Sequence, residues 1–394
     1  YNGFDPTGDS LHIGHLVPLM ALARFQRMGH TPIVLAGGGT AMIGDPSGKS
    51  SERQLLTFEE VEANVEKIKP QLRKLMDFDV KPNTAKVVNN ADWLSKLTMF
   101  DYLRDVGKHF TVNYMMAKDS VKSRIERDQG ISYTEFSYMI LQSYDFYHLY
   151  QEYGCKMQTG GSDQWGNITA GTQYIRKVTG FPAQAMAYPL ILKADGTKFG
   201  KTASGDSVWL DEAKTSPYNF HQFWLNTDDR DVINYLKYFT WLTREEVEGL
   251  AFEVENDPGR RSAQKKLADV MTEMMHGADG LSKAKQAASV LFGGDLSGLS
   301  GSQIAEIFAD VPYAEFESTA FSGEGILLLD LLAQSETTSS KGEARRLVKS
   351  GGISINNKRI NNDKLAIDTN MLIEGKYLVI RRGKKDYRLV KVIE

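Results

Sequence analysis

Cysteine is almost missing from this chain: 394 residues contain one, Cys155. A lone thiol excludes an internal disulfide, and with seven scattered histidines it argues against a structural zinc site. No apolar run is long enough to span a bilayer and no signal peptide opens the chain, so membrane insertion is not expected and the cytoplasm is the expected location. The chain opens at Tyr1 without a methionine, which reads as a missing N-terminal segment. No internal repeat and no long low-complexity tract occurs. Two nucleotide motifs are also missing. Gly44 to Ser50 reads GDPSGKS, with three residues between the glycines where a phosphate-cradling P-loop needs four. No G-x-G-x-x-G follows the first strand, which argues against a dinucleotide oxidoreductase.

What is present is a pair of distant phosphate-binding strings. Pro6 to His15 reads PTGDSLHIGH, and Lys198 to Thr202 reads KFGKT. In the first, His12 and His15 flank Gly14 just before a helical stretch from His15 to Gly29. A helix N-terminus offers unpaired N–H groups and the positive end of a dipole, which suit a polyphosphate. Gly14 has no side chain, so a flat adenine can approach the backbone. In the second, Lys198 and Lys201 lie beside Gly196 and Gly200, where a loop can swing two cations onto a triphosphate. Taken singly, two histidines at a turn or two lysines beside glycine also fit an ordinary solvated surface. A third cluster shifts the balance: Tyr138, Gln142 and Asp145 are spaced by four and then three, which puts them on one face of a helix from about Thr134 to Tyr153. Their neighbours are apolar, so Asp145 is a carboxylate in a buried setting, to be paired or kept for a ligand. An amide beside a carboxylate suits an ammonium group and a hydroxyl, as on tyrosine.

The two strings resemble the HIGH and KMSKS signatures of class I aminoacyl-tRNA synthetases, the second with Phe199, Gly200 and Thr202 replacing Met, Ser and Ser. With Tyr1 to His15, the GDPSGKSSER run from Gly44 to Arg53, the YxxxQxxD helix and the GGSDQWGN run from Gly160 to Asn167, the chain resembles the bacterial type of tyrosyl-tRNA synthetase over essentially its whole length. That resemblance implies that Asp145 and the Tyr1 hydroxyl bind the substrate phenol, that Tyr138, Gln142 and Asp45 meet its ammonium group, and that Gln164 lies beside the reacting carboxylate. Gly3, Asp5 and Gln158 complete the tyrosine site. Asp163 with Gly161 matches the ribose site and Gly14 the adenine contact. Thr7, His12, His15, Lys198 and Lys201 correspond to the phosphate clamp, with Lys49, Arg53 and Thr202 in support. Asn2 stands where a cysteine is common in the family, a position from which a ribose hydrogen bond is expected. The resemblance also implies ATP as a substrate with Mg²⁺ accompanying it, no tightly bound cofactor and no resident metal, tRNA(Tyr) as acceptor, and a homodimer. The reaction it implies is attack of the tyrosine carboxylate on the α-phosphorus of ATP, release of pyrophosphate, and transfer to the 3′ end of tRNA.

The net charge of −3 conceals an asymmetry. Lys341 to Glu394 holds 14 Lys+Arg against 6 Asp+Glu, a net of +8, which leaves 33 against 44, or −11, for residues 1–340. The tail is therefore expected to bind nucleic acid, with Arg345, Arg346 and Lys349 at helical spacing as candidate tRNA contacts. SKGEARRLVKSGGISINNKRI reads as a basic helix, a glycine turn and a short strand, and YLVIRRGKKDYRLVKV alternates like a hairpin. This resembles a small RNA-binding fold first known from a ribosomal protein. The alternative is a solvated basic face on a structural domain.

Read in order, the chain is expected to fold as a Rossmann-like, doubly wound α/β catalytic domain over 1–215, an all-helical domain over 216–318 and a small basic α+β domain over 326–394. Thr31 to Ala36, Lys86 to Asn89 and Lys156 to Thr159 read as strands, and Thr57 to Glu60 as a capping box. Three rival functions stay open at this point: a tryptophanyl-type synthetase, a different nucleotidyltransferase with an HxGH site, and a synthetase-derived RNA-binding protein without catalysis. Asp145 and the basic tail favour tyrosine over the first, the polar notch opposes the second, and the presence of the clamp residues opposes the third.

Overall fold

The computed structural model describes residues 1–47, 56–126, 130–201, 205–296, 299–309, 311–383 and 386–393. Lys49, Arg53 and Thr202, expected in the nucleotide site, lie outside the described residues.

A parallel sheet organises the first half. Strands β1 (Asn2–Phe4), β2 (Ile33–Ala36) and β3 (Lys86–Asn89) pair in parallel in the order β1-β2-β3. Helix α1 (Leu16–Arg27) connects the first two strands, and α2 (Phe58–Arg73) lies between the second and third in sequence. The capping box at the start of α2 is formed: Thr57 and Glu60 each accept from the other's backbone N–H. Further along come α3 (Tyr133–Tyr153), β4 (Met157–Gly161), α4 (Trp165–Thr179) and β5 (Gln184–Tyr188), with β4 and β5 parallel. The Thr159 N–H donates to the Tyr1 carbonyl at 2.8 Å, which brings β4 alongside β1. Alternation along β2 explains why the sheet is covered on both sides. Val34 joins the core made with α1 and α2, whereas Ile33 and Leu35 join the one made with Phe146 and Leu149 of α3 and Ile175 of α4.

The chain divides into two compact units, residues 1–216 with 220–277, and residues 217–219 with 278–394. Helices α5 (Pro217–Leu225), α6 (Asp229–Phe239), α7 (Arg244–Asn256) and α8 (Ser262–Leu291) follow the sheet in sequence. Within the first unit, Phe220, Trp224, Phe239, Leu267 and Met271 share one continuous core with Leu16, Leu19 and Val34. The span 216–318, read from sequence as a single helical domain, is therefore divided. The division falls at Gly277, whose φ of 72° and ψ of 178° interrupt α8.

A second departure lies at β6 (Tyr313–Glu317), a strand inside the span expected to be helical. It pairs in parallel with β10 (Asp386–Ile393), one arm of the hairpin with β9 (Tyr377–Arg382). Strands β7 (Ile353–Ile355) and β8 (Lys358–Arg359) complete a sheet of order β6-β10-β9-β7-β8. YAEFE carries a weak strand signal alone, and its partner lies some seventy residues later in sequence. The basic segment is the helix α9 (Lys341–Lys349), capped by the Ser340 hydroxyl and seated on the second unit's core through Ala344 and Val348. Among the described residues, no helix is long and apolar enough to cross a membrane.

Candidate active site

At the carboxyl ends of β1, β4 and β5 opens a cleft of about 720 Å³, the usual location for ligands on a parallel sheet. Its walls bring together residues scattered over two hundred positions. Tyr1, Gly3, Asp5, Asp45, Tyr138, Gln142, Asp145, Gln158 and Gln164 all line it, as do Thr7, His12, Gly14, His15, Gly161, Asp163 and Lys198.

One end of the cleft is built on α3, where the four-and-three spacing turns Tyr138, Gln142 and Asp145 to the same side. Asp145 is 1% exposed, and its two oxygens accept from the Asn90 amide at 2.9 Å and the Trp93 indole N–H at 2.8 Å. Burial pushes its carboxyl up to about 7, partly offset by those two hydrogen bonds. Asn90 also donates to the Thr40 hydroxyl at 3.0 Å and accepts from the Gly39 N–H at 2.7 Å. Thr40 and Tyr138 in turn donate to the two oxygens of Asp5, at 2.9 and 3.1 Å. Neither Asn90 nor Trp93 was singled out in the sequence. The available signal was their position just past a short apolar strand, at the sheet edge where ligands collect. Elsewhere on the cleft wall, Gln164 donates to Asp45 at 2.7 Å and accepts from Asn167 at 3.2 Å. Four buried polar atoms on the cleft walls have no protein partner: Tyr1 Oη, Gln142 Oε1, Gln158 Oε1 and Tyr188 Oη. Buried groups of this kind need a ligand or water to satisfy them.

The end of the cleft at His12 to His15 differs in detail from the expectation. The Gly14 N–H is taken by His12 Nδ1 at 3.1 Å, and the His12 N–H by His15 Nδ1 at 3.1 Å. With both Nδ1 atoms accepting, each ring carries its hydrogen on Nε2. Burial lowers both imidazoles, that of His15 to about 3, and the nearby Lys201 lowers His12 further. Two neutral rings, 4.0 Å apart, thus carry N–H donors beside the occupied Gly14 amide. A side chain at Gly14 would meet the His12 ring at 2.8 Å, so packing within the motif already demands glycine there. Lys198 lines the cleft, but Lys201 does not; its ammonium donates to the Ser207 hydroxyl at 3.0 Å. Phe199 anchors the segment, its ring stacked on Phe239 at 5.2 Å and 5.0 Å from Tyr235. Asn2, 4% exposed, is held by Thr159, whose hydroxyl reaches its side-chain oxygen at 3.3 Å. In the second unit, Arg345, Arg346 and Lys349 are all exposed on α9, with Arg345 paired to Asp363 at 3.2 Å.

Known proteins carry the same pattern. Residues 1–293 match the family described as tRNA synthetases class I (W and Y), and residues 303–390 match the tyrosine–tRNA ligase SYY-like C-terminal domain. The chain is 53% identical over 393 residues to a tyrosine–tRNA ligase of Roseiflexus castenholzii, covering 100% of this chain and 92% of that protein. It is 52% identical over 392 residues to one of Geobacillus stearothermophilus, covering 99% and 92%. Among solved structures, a C-terminally truncated mitochondrial tyrosyl-tRNA synthetase of Aspergillus nidulans aligns with a TM-score of 0.65 at 31% identity, over 74% of this chain and 85% of that one. A tyrosyl-tRNA synthetase of Archaeoglobus fulgidus complexed with L-tyrosine shares the fold at a TM-score of 0.52 and 18% identity, over 72% and 89%. The cleft that brings the first signature string and Lys198 of the second together with a buried carboxylate thus belongs to a class I catalytic fold followed by its own C-terminal domain, and the chain belongs to the bacterial-type tyrosyl-tRNA synthetases.

Proposed function

We propose that the cleft activates tyrosine with the residues described above in defined roles. The family's reaction is tyrosine–tRNA ligation, with ATP as a substrate. The observation that carries the residue assignment is Asp145, fixed by Asn90 and Trp93, across a cleft from the unpartnered Tyr1 hydroxyl. A phenol entering there donates to Asp145 and accepts from Tyr1. The substrate ammonium group meets Tyr138, Gln142 and Asp45, with the open Gln142 oxygen as one acceptor. Gln164 steadies the carboxylate. Ribose lies against Gly161 and Asp163, and the triphosphate against Thr7, His12, His15 and Lys198.

Chemistry then needs no protein nucleophile and no general base, because the substrate carboxylate is already ionised near pH 7. One carboxylate oxygen bonds to the α-phosphorus as the bond to the bridging oxygen breaks, and the electron pair leaves with pyrophosphate. The neutral His12 and His15 donate N–H bonds to the growing negative charge, and the lysines supply positive charge. Mg²⁺ enters with the nucleotide. Such charge donors, aimed in advance, stabilise the transition state more than the ground state. Residues 1–215 serve as the Rossmann-like catalytic domain, the helices that follow support the tRNA, and the basic domain binds it; work of this kind is done in the cytoplasm.

Purified full-length protein should exchange ATP and pyrophosphate in a reaction that depends on tyrosine and Mg²⁺. Exchange driven better by tryptophan, or none with tyrosine, would overturn the assignment. A homodimer is the second element of the proposal. Met99 (71% exposed), Phe100 (81%), Val112 (59%) and Tyr133 (70%) leave a group of large apolar side chains in water within one sequence stretch of the first unit, as a subunit contact would. Sedimentation should report a dimer, and Phe100→Glu should shift it toward monomer; a wild-type monomer at micromolar concentration would remove this part.

A further inference from the structure

Tyr188 ends β5, and its register partner across the strand pair is Gly161. Paired residues of parallel strands face the same way, and so do residues two apart, so Tyr188 lies on the same face of the sheet as Thr159. Thr159 reaches Asn2 on the next strand with its hydroxyl at 3.3 Å and the Tyr1 carbonyl at 3.2 Å. Asn2, Thr159 and Tyr188 therefore form a polar row across three neighbouring strands, along the floor of the cleft. Two members of the row are engaged: the Asn2 carboxamide accepts from Thr159 and donates to the Gly3 carbonyl at 3.0 Å. The third is not. Tyr188 Oη is buried and meets no protein atom at hydrogen-bonding geometry, although Thr159 is close enough to ease its burial-raised pKa.

A buried phenol left open in a cleft wall is costly unless a ligand completes it. Its neighbours identify which part of the ligand that is. A side chain at Gly161 would touch Asp163 Oδ1 at 2.4 Å and Leu190 at 3.5 Å, so Tyr188 shares its end of the floor with the carboxylate assigned to ribose. It lies on the strand beyond β4 as counted from β1, which Tyr1 directly precedes. We infer that the Tyr188 hydroxyl is a binding residue for the ribose of the nucleotide, supplying a hydrogen bond to one of its hydroxyls that the occupied Asn2 side chain does not provide. This rests on the assignment of Gly161 and Asp163 to ribose.

The test pairs removal of the protein hydroxyl with removal of the ligand's. Adenylate formation is measured for wild type and Tyr188→Phe with ATP, 2′-deoxyATP and 3′-deoxyATP. Tyr188→Phe should lose about three- to tenfold in kcat/KM for ATP, the range of one neutral hydrogen bond, with tyrosine affinity and Tm unchanged. With the deoxynucleotide lacking the contacted hydroxyl, wild type and variant should be equal. No loss with ATP, or the same loss with all three nucleotides, overturns the inference. Asp163→Ala separates it from the assignment on which it rests. If that variant keeps the wild-type preference for ATP over both deoxynucleotides, Asp163 is not the ribose ligand, whatever Tyr188 does. If it loses the preference while Tyr188→Phe behaves as wild type, the ribose site stands and Tyr188 is no part of it.

Discussion

Asp145 combines burial with two neutral donors, and the balance leaves its carboxyl at about 7. As pH rises through that value the group ionises and becomes a charged acceptor. Tyrosine benefits, because a hydrogen bond to a charged group is worth about 1.5–3 kcal/mol against roughly 0.5–1.5 for a neutral one. Phenylalanine suffers, because it leaves a buried charge without the extra partner. The ratio of tyrosine to phenylalanine binding should therefore widen by about fivefold between pH 6 and pH 8, from the difference between those two ranges. Equilibrium titration of both amino acids across that range checks it. Asp145→Asn removes the titration and should flatten the profile; a slope that survives in this variant would assign the effect elsewhere. The three α3 side chains were legible from spacing alone, since helical periodicity fixes a common face. Asn90 and Trp93 were not, because they meet Asp145 only when two strands and a helix converge.

Of the described residues of the KFGKT segment, Phe199 is packed into the core and Lys201 is exposed. Phe199 packs into aromatic rings of α5 and α6, and Gly200, at φ 97°, brings the backbone over Gly14. A side chain other than glycine is strained at that φ. Lys201 follows directly, yet its ammonium is spent on Ser207 and it stands outside the cleft lining. In the proposed reaction it would exchange that neutral contact for phosphate. Lys201→Ala should slow adenylate formation by on the order of 10²-fold, as for other preorganised charge donors, while tyrosine affinity stays within twofold. Pre-steady-state kinetics separates the two, and an unchanged rate would return Lys201 to the surface. The sequence marked the lysines but could not distinguish their two environments. That distinction depends on which of them Ser207 captures.

At the scale of the molecule, charge is segregated: −11 over residues 1–340 against +8 over the last 54. The structure tempers this asymmetry, because Arg345, Arg382 and Arg388 are paired with Asp363, Glu343 and Glu336 within the second unit. Exposed pairs of this type contribute roughly 0–1 kcal/mol and can open toward a phosphate. Replacing Arg345, Arg346 and Lys349 together with Ala should leave tyrosine-dependent pyrophosphate exchange unchanged and weaken tRNA binding. The slope of log affinity against log salt should fall by about 0.7–0.9 for each phosphate that the variant no longer neutralises. Filter binding over a salt series measures it; tRNA affinity and slope equal to wild type would make α9 a solvated face.

Sequence alone determined the chemistry of this protein, because its signals are local. HIGH-type and KMSKS-type strings, a one-faced polar notch and a basic tail each lie within a few turns of chain. It also fixed most strands of the parallel sheet and the capping box of α2, where neighbouring residues decide the outcome. Tertiary structure decided what depends on distant partners. Strand β6 exists because β10 is there to pair with it, and the helices from 220 to 277 join the first core because Phe220, Trp224, Phe239 and Leu267 pack against Leu16 and Leu19. The same holds for the donors at the HIGH-type motif. The Gly14 amide just ahead of α1 is taken by His12, and two neutral imidazoles carry N–H groups of their own beside it. Close packing, which side-chain identity alone does not specify, decides which hydrogen bonds are made and which are left for a ligand.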